Sequence, residues 1–202
     1  MRAFFAVDLP DPLTDAIAAA QRPLTEAAGI DPVDPTQAHL TLKFLGEVDD
    51  GGHDGSGDDG DHDDPDDDVP LDEMLAAGER AVERAAVDPF TCRVRGYGVF
   101  PSPEYISVVW AGVGEGAEEL TRLHEALEAE TTARGVDAEP HAFTPHVTIA
   151  RMRDGRGKGH VQRVVREREP EIGRFEVAEI RLLSSTLTRD GPIYESVESF
   201  GL

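Results

Sequence analysis

HLTLKFLGE, residues 39–47, and PHVTIAR, residues 145–151, carry two copies of one pattern, His39-Leu40-Thr41-Leu42 and His146-Val147-Thr148-Ile149. The order is histidine, apolar, threonine, apolar. In an extended strand successive side chains alternate faces, so the His and Thr of each copy share one face and the apolar residues take the other. Each copy therefore presents an imidazole and a hydroxyl about 6.6 Å apart, two strand rises of about 3.3 Å. The chain has 7 histidines and 12 threonines in 202 residues of 39% apolar composition. At those frequencies one such copy arises by chance about 0.06 times per chain. Two copies, each inside an apolar run, form a signal.

Around these strands the sequence reads as alternating helices and strands. Residues 2–9 form a strand and 12–28 a helix with Leu13, Ile17 and Leu24 near one face. The first motif strand spans 38–46. A helix follows over 70–86, carried by Leu71, Met74, Leu75 and Val82. Strands at 90–100 and 105–113 are joined by the turn signal Pro101-Ser102-Pro103-Glu104. A helix over 116–134 spaces Leu120, Leu123 and Leu127 for a core, and the second motif strand is 145–151. A short charged helix at 161–168 and a hairpin of 176–187 with 193–200, around Arg189-Asp190-Gly191-Pro192, complete the chain.

Helices and strands are mixed and several strand pairs are hairpin-linked, which favours a mainly antiparallel α+β fold over a doubly wound parallel sheet. The two halves of the chain each hold a motif strand, a following helix and further strands. The expected architecture is one domain over 1–202, bilobal, with two mainly antiparallel sheets and flanking helices. A pseudo-twofold relates the lobes and faces the motifs across a central cleft.

Charge bounds the partners. The formal net charge is -22, from 41 acidic and 19 basic residues, and only Lys43 and Lys158 are lysines. Such a surface resembles that of proteins from salt-loving organisms; an acidic protein that docks basic partners is the alternative. At 1 M salt the Debye length is about 3 Å, so a small phosphodiester pocket is compatible with this field while non-specific coating of nucleic acid is not. Residues 49–68 hold 11 aspartates and 5 glycines and no basic residue. They are expected to be a disordered acidic insertion. A calcium loop on Asp54, Ser56 and Asp58 is disfavoured because Asp59 stands where a glycine is needed and the closing glutamate is missing. The single cysteine, Cys92, permits no intramolecular disulfide and no cysteine-rich zinc site. Ala3-Phe4-Phe5-Ala6-Val7 is too short for a signal or membrane segment. The expectation is a soluble, cytoplasmic monomer.

Two imidazoles facing one another suit in-line displacement at phosphorus. A neutral histidine removes a proton from the attacking oxygen, and a protonated one donates to the departing oxygen. Thr41 and Thr148 would donate to the non-bridging phosphate oxygens. Lys43 shares the Thr41 face by strand parity and is expected at the phosphate. Arg151 projects opposite to Thr148 in a regular strand but stands at the strand end, where parity breaks. Substrate contact and surface ion pair are both open for it. The scheme needs no metal and no cofactor.

The two motif segments resemble the two-histidine (2H) phosphoesterase superfamily, and within it the RNA 2′,3′-cyclic phosphodiesterases, also called RNA 2′-5′ ligases. MRAFFAVDLP, FPSPEYISVVWAGV and SSTLTRDGPIYE extend the resemblance over most of the chain, and the acidic insertion departs from it. The resemblance implies hydrolysis of a 2′,3′-cyclic phosphate to a 2′-phosphate without a metal. Carried over by motif position, His39 would be the proton donor to the leaving 3′ oxygen and His146 the acceptor that activates water. The implied partners are RNA ends or nucleotides bearing a 2′,3′-cyclic phosphate, tRNA halves among them, with ligation as the reverse displacement. The near-symmetry of the residues leaves the two roles interchangeable on chemistry alone.

Blander readings compete for the other candidates. His141 reads as a loop residue, His124 as structural on its helix, and His160 as part of a solvated basic loop with Arg156 and Lys158. Tyr105, Phe44 and Trp110 offer rings for a base, or for packing. A non-catalytic nucleotide-end-binding module is the alternative function; phosphate binding alone would favour Arg or Lys over the duplicated His and Thr. A metal-dependent hydrolase lacks ligand-spaced residues outside the acidic insertion.

Overall fold

The computed structural model describes residues 1–51, 69–188 and 191–202. Most of the acidic insertion, with its Asp54, Ser56 and Asp58, and the Arg189-Asp190 turn lie outside the described residues.

The strands are β1 (Arg2–Asp8), β2 (Ile30–Pro32), β3 (His39–Asp49), β4 (Val69–Pro70), β5 (Phe90–Ser102), β6 (Tyr105–Val113), β7 (His146–Met152), β8 (Glu171–Val177), β9 (Glu179–Thr188) and β10 (Gly191–Gly201). The helices are α1 (Thr14–Gln21), α2 (Leu71–Ala85), α3 (Ala117–Thr132) and α4 (Lys158–Glu167). The helix expected over 12–28 stops at Gln21 because Pro23 offers no backbone N–H to continue the ladder. Short β2, β4 and edge strand β8 were not legible in the sequence; EIGRFEV alternates too weakly to announce a strand.

The main sheet runs in the order β10-β9-β1-β3-β7-β6-β5-β8. Every pairing along it is antiparallel. It divides into two four-stranded halves of one continuous sheet, where two separate sheets were expected. The halves meet at one ladder pair, Leu40 opposite Val147, so the motif strands are neighbours at the centre. Beyond that pair the strands part, and β2 takes up the far end of β7. The parting opens the cleft. α2 and α3 pack on the β3/β10 lobe, and α1 and α4 on the β5/β7/β8 lobe.

The lobes are not consecutive halves of the chain. β1 and β3 are joined in their lobe by the late strands β9 and β10, and only Ala178 separates β8 of one lobe from β9 of the other. The main core lies between the sheet and the helices and includes Phe5, Leu40, Leu42, Val147 and Ile149. A second, small cluster of Phe4, Ala6 and Leu183, with Tyr194 against it, covers the opposite face of β1.

Both motif strands carry a β-bulge at the fourth motif residue. In β1–β3, Ala6 pairs Thr41 and Phe5 pairs Lys43, which leaves Leu42 extra. In β6–β7, Trp110 pairs Thr148 and Val109 pairs Ala150, which leaves Ile149 extra. An extra residue reverses the facing of the residues after it up to the next irregularity, which on β3 comes at Leu45. Leu42 and Lys43 are therefore both buried, as are Ile149 and Ala150, while Phe44 and Arg151 emerge on the cleft side.

Candidate active site

His39 begins β3 just after a 3-10 turn, Pro35–Gln37, that Asp34 caps by accepting the Thr36 N–H at 2.9 Å. The Gln37 carbonyl is left to accept a hydrogen bond from Nδ1 of His39 at 2.9 Å. His146 begins β7 after Thr144-Pro145, and proline holds Thr144 extended. The Thr144 carbonyl accepts from Nδ1 of His146 at 2.7 Å. A carbonyl only accepts, so Nδ1 carries the proton in both rings and each Nε2 is left for substrate. The same two-residue backward bond appears in both copies.

Each ring stands in an aromatic wall. His39 lies 5.0 Å from Phe4 and 4.8 Å edge-on to Tyr194. His146 lies 5.0 Å edge-on to Phe100 and 5.9 Å from Trp110. Trp110 can lie across β5 because its pairing partner there is Gly98. A Cβ at Gly98 would collide with the indole. Sequence reasoning missed Phe4, Phe100 and Tyr194 as walls, because only long-range strand pairing delivers them.

The Leu40–Val147 register sets His39 beside Thr148 and Thr41 beside His146. The histidines then occupy opposite corners of a rectangle with Cα atoms on the order of 8 Å apart, from strand spacing and rise. That span suits one phosphorus atom flanked by an entering and a leaving oxygen. Neither threonine hydroxyl has a protein partner among the described residues.

Burial pushes both imidazoles below the ordinary histidine value of 6.5. The carbonyl bonds oppose this, and the positive charge of Arg151 adds to it at both rings. His39 alone also feels Asp8, which favours its charged form, and His146, which disfavours it. Burial raises the Tyr194 hydroxyl, and Arg151 lowers it. One guanidinium thus acts on both histidines and Tyr194. No carboxylate pairs with Arg151 among the described residues.

Lys43 requires a correction. Parity assigns it to the phosphate, but the bulge at Leu42 turns it to the core, where it is 1% exposed and ion-paired with Glu128 at 2.8 Å. Its Nζ also donates to the Asp137 carbonyl at 2.7 Å. Arg151 is turned the opposite way by the matching bulge, to the exposed side, where its charge acts on both histidines. His124 is buried and His141 exposed. His160 donates from Nε2 to the Pro23 carbonyl at 2.7 Å, and Arg156 is held by Asp154. Phe44, 59% exposed, sits 5.8 Å from Phe4. A cleft of about 710 Å³ opens beside His39, with Asp8, Thr36, Gln37, Arg181, Leu183 and Tyr194 in its walls. Among the described residues no three His, Cys, Asp or Glu side chains converge as a metal site requires, and no helix is long and apolar enough to cross a membrane.

Two Nδ1-anchored imidazoles, two hydroxyls and a guanidinium that acts on both rings lie together on one face. The chain belongs to the 2′-5′ RNA ligase superfamily, whose sequence profile matches residues 9–189. It is 34% identical over 206 residues to an RNA 2′,3′-cyclic phosphodiesterase of Methanothermobacter thermautotrophicus, covering 100% of this chain and 99% of that protein. It is 36% identical over 168 residues to the Aeropyrum pernix protein of the same name, covering 82% of each. The crystal structure of the Thermus thermophilus protein TT0787 superposes with a TM-score of 0.73 at 30% identity, covering 100% of this chain and 98% of that one. The fold is also that of E. coli LigT complexed with 3′-AMP, at a TM-score of 0.70 and 22% identity over 100% of this chain and 97% of that one.

Proposed function

We propose that this protein hydrolyses a 2′,3′-cyclic phosphodiester at an RNA or nucleotide end to a 2′-phosphomonoester, by paired general acid and base. The duplicated Nδ1 anchoring carries this reading, since it commits both Nε2 atoms to proton transfer. His146 Nε2 takes a proton from water as the water oxygen bonds to phosphorus. The bond from phosphorus to the 3′ oxygen breaks, and His39 Nε2 gives its proton to that oxygen. Thr41 and Thr148 donate to the non-bridging oxygens, and Arg151 balances their charge.

The assignment of donor and acceptor is supported by Asp8. It favours the imidazolium at His39 and has no counterpart among the groups acting on His146. The leaving 3′ oxygen belongs to the ribose, so the nucleoside falls on the His39 side, where the large cleft opens. The exposed ring of Phe44 offers a face for a base. With the 5′-hydroxyl of a second RNA end in place of water, the same steps join the two ends through a 2′-5′ phosphodiester, and tRNA halves are substrates of the right chemistry.

The test is product analysis on a nucleoside 2′,3′-cyclic phosphate in molar salt, with and without chelator. A 2′-phosphate formed at a chelator-independent rate, and lost in His39→Ala and His146→Ala, is the expected result. Absence of turnover would indicate a binding module, and chelator sensitivity a metal enzyme.

A further inference from the structure

Both bulges that aim the site are held from behind, and by different helices. At the first, Nδ1 of His124 on α3 donates to the Leu42 carbonyl at 2.8 Å. At the second, Nε2 of Gln21 on α1 donates to the Ile149 carbonyl at 2.9 Å and to the Val33 carbonyl at 2.7 Å. His124 and Gln21 are among the four buried polar or charged side chains of the described residues, at 8% and 5% exposure. Each reaches the extra residue of one motif copy. An extra residue disrupts the local ladder; the Leu42 carbonyl takes its donor from His124, and the Ile149 carbonyl, which also accepts the Val33 N–H at 3.1 Å, takes a second donor from Gln21.

We propose that Gln21 and His124 are equivalent positioning residues, one per lobe, that clamp the two bulges and thereby set the aim of the catalytic face. The proposal rests on the phosphodiesterase reading above. The Gln21 clamp fixes the step from Ile149 to Arg151, and so the placement of the guanidinium between the two imidazoles. The His124 clamp fixes the step from Leu42 to Phe44. It also ties the lobes together, since its ring stacks on Phe143 at 4.2 Å and 8° between planes. Phe143 precedes Thr144, whose carbonyl anchors His146. One α3 side chain therefore touches the chain just after His39 and just before His146.

The two clamps differ in what their loss does. Near His39 the charged or titratable groups are Asp8, Arg151, His146 and Tyr194, and near His146 they are Arg151 and His39. Releasing the Ile149 bulge moves Arg151, a group that disfavours the charged form of both imidazoles. Releasing the Leu42 bulge leaves Arg151 in place.

Steady-state kinetics of the full chain on adenosine 2′,3′-cyclic phosphate test this with Gln21→Met, His124→Leu and His124→Gln, each checked for folding by circular dichroism. Gln21→Met and His124→Leu should each lower kcat by about 10- to 100-fold, the cost of a misplacement near 1 Å, with KM little changed. Gln21→Met should move the optimum of the pH profile upward, and His124→Leu should leave it. His124→Gln, which supplies the amide donor used in the other lobe, should recover most of kcat. Wild-type kcat in folded Gln21→Met or His124→Leu, an unmoved optimum in Gln21→Met, or no recovery in His124→Gln overturns the clamp. Lack of turnover by the wild-type chain instead overturns the phosphodiesterase reading. Should Gln21→Met fail to fold, Gln21→His, whose ring reaches less far, takes its place: an upward-shifted optimum supports the clamp and an unmoved one overturns it.

Discussion

Lys43→Met separates a structural lysine from a phosphate-binding one. Lys43 is 1% exposed and its partner Glu128 is 24% exposed, with 2.8 Å between them. Removing one member of a buried pair costs about 3–5 kcal/mol, because the other charge is left uncompensated. Glu128 is part-exposed and keeps the Glu139 N–H at 2.8 Å, so the loss falls toward about 2–3 kcal/mol. For a chain of this size that lowers Tm by about 4–12 °C. A pair this close and this buried is poorly screened, so the deficit persists in molar KCl, where surface pairs fade. Thermal unfolding at low and molar salt, beside KM on a cyclic nucleotide, reads both quantities. The double variant Lys43→Met/Glu128→Leu should regain part of the stability, since no orphaned charge remains. An unchanged Tm with a raised KM would refute the reasoning and return Lys43 to the phosphate.

Both imidazoles lie below 6.5, so kcat/KM should be bell-shaped and centred on the acid side of that value. It rises where His146 loses its proton and falls where His39 does; a centre on the alkaline side contradicts this. Arg151→Ala should cost about 10²–10³-fold in kcat and shift the optimum upward, with Arg151→Lys intermediate; unchanged kinetics would remove Arg151 from the site. Gly98→Ala drives a Cβ into the Trp110 ring, an overpacking worth about 1–3 kcal/mol. Its kcat should fall through His146, and a wild-type crystal position for Trp110 in that variant would disprove the link.

The motif strands, the facing of His39, Thr41, His146 and Thr148, and the inward Leu40, Leu42, Val147 and Ile149 were all legible, because alternation is local. The bulges were not. HLTLKF alternates without a flaw, so parity sends Phe44 inward and Lys43 outward, the reverse of what the structure shows. In the second copy the adjacent apolar pair Ile149-Ala150 was the one visible break in rhythm. Tyr194 and Phe100 reach the site through pairings of β10 with β9 and β5 with β6, which no local pattern encodes. The pseudo-symmetric halves were read as consecutive, whereas the sheet order interleaves them. The Nδ1 anchors have a signal in hindsight: each histidine follows by two residues a turn or proline junction that frees a carbonyl.

The seating of the β9–β10 hairpin against β1 has a consequence for biosynthesis. Arg2 pairs with Ser185, and Tyr194 beside His39 sits later still in the chain. The segment from β5 to β8 can be built up as the nascent chain emerges, but the lobe bearing His39 waits until β10 has cleared the ribosome. Contacts this distant in sequence close slowly. The cleft is thus assembled only after β10 has left the ribosome, and a nascent chain that still holds β10 in the exit tunnel lacks it.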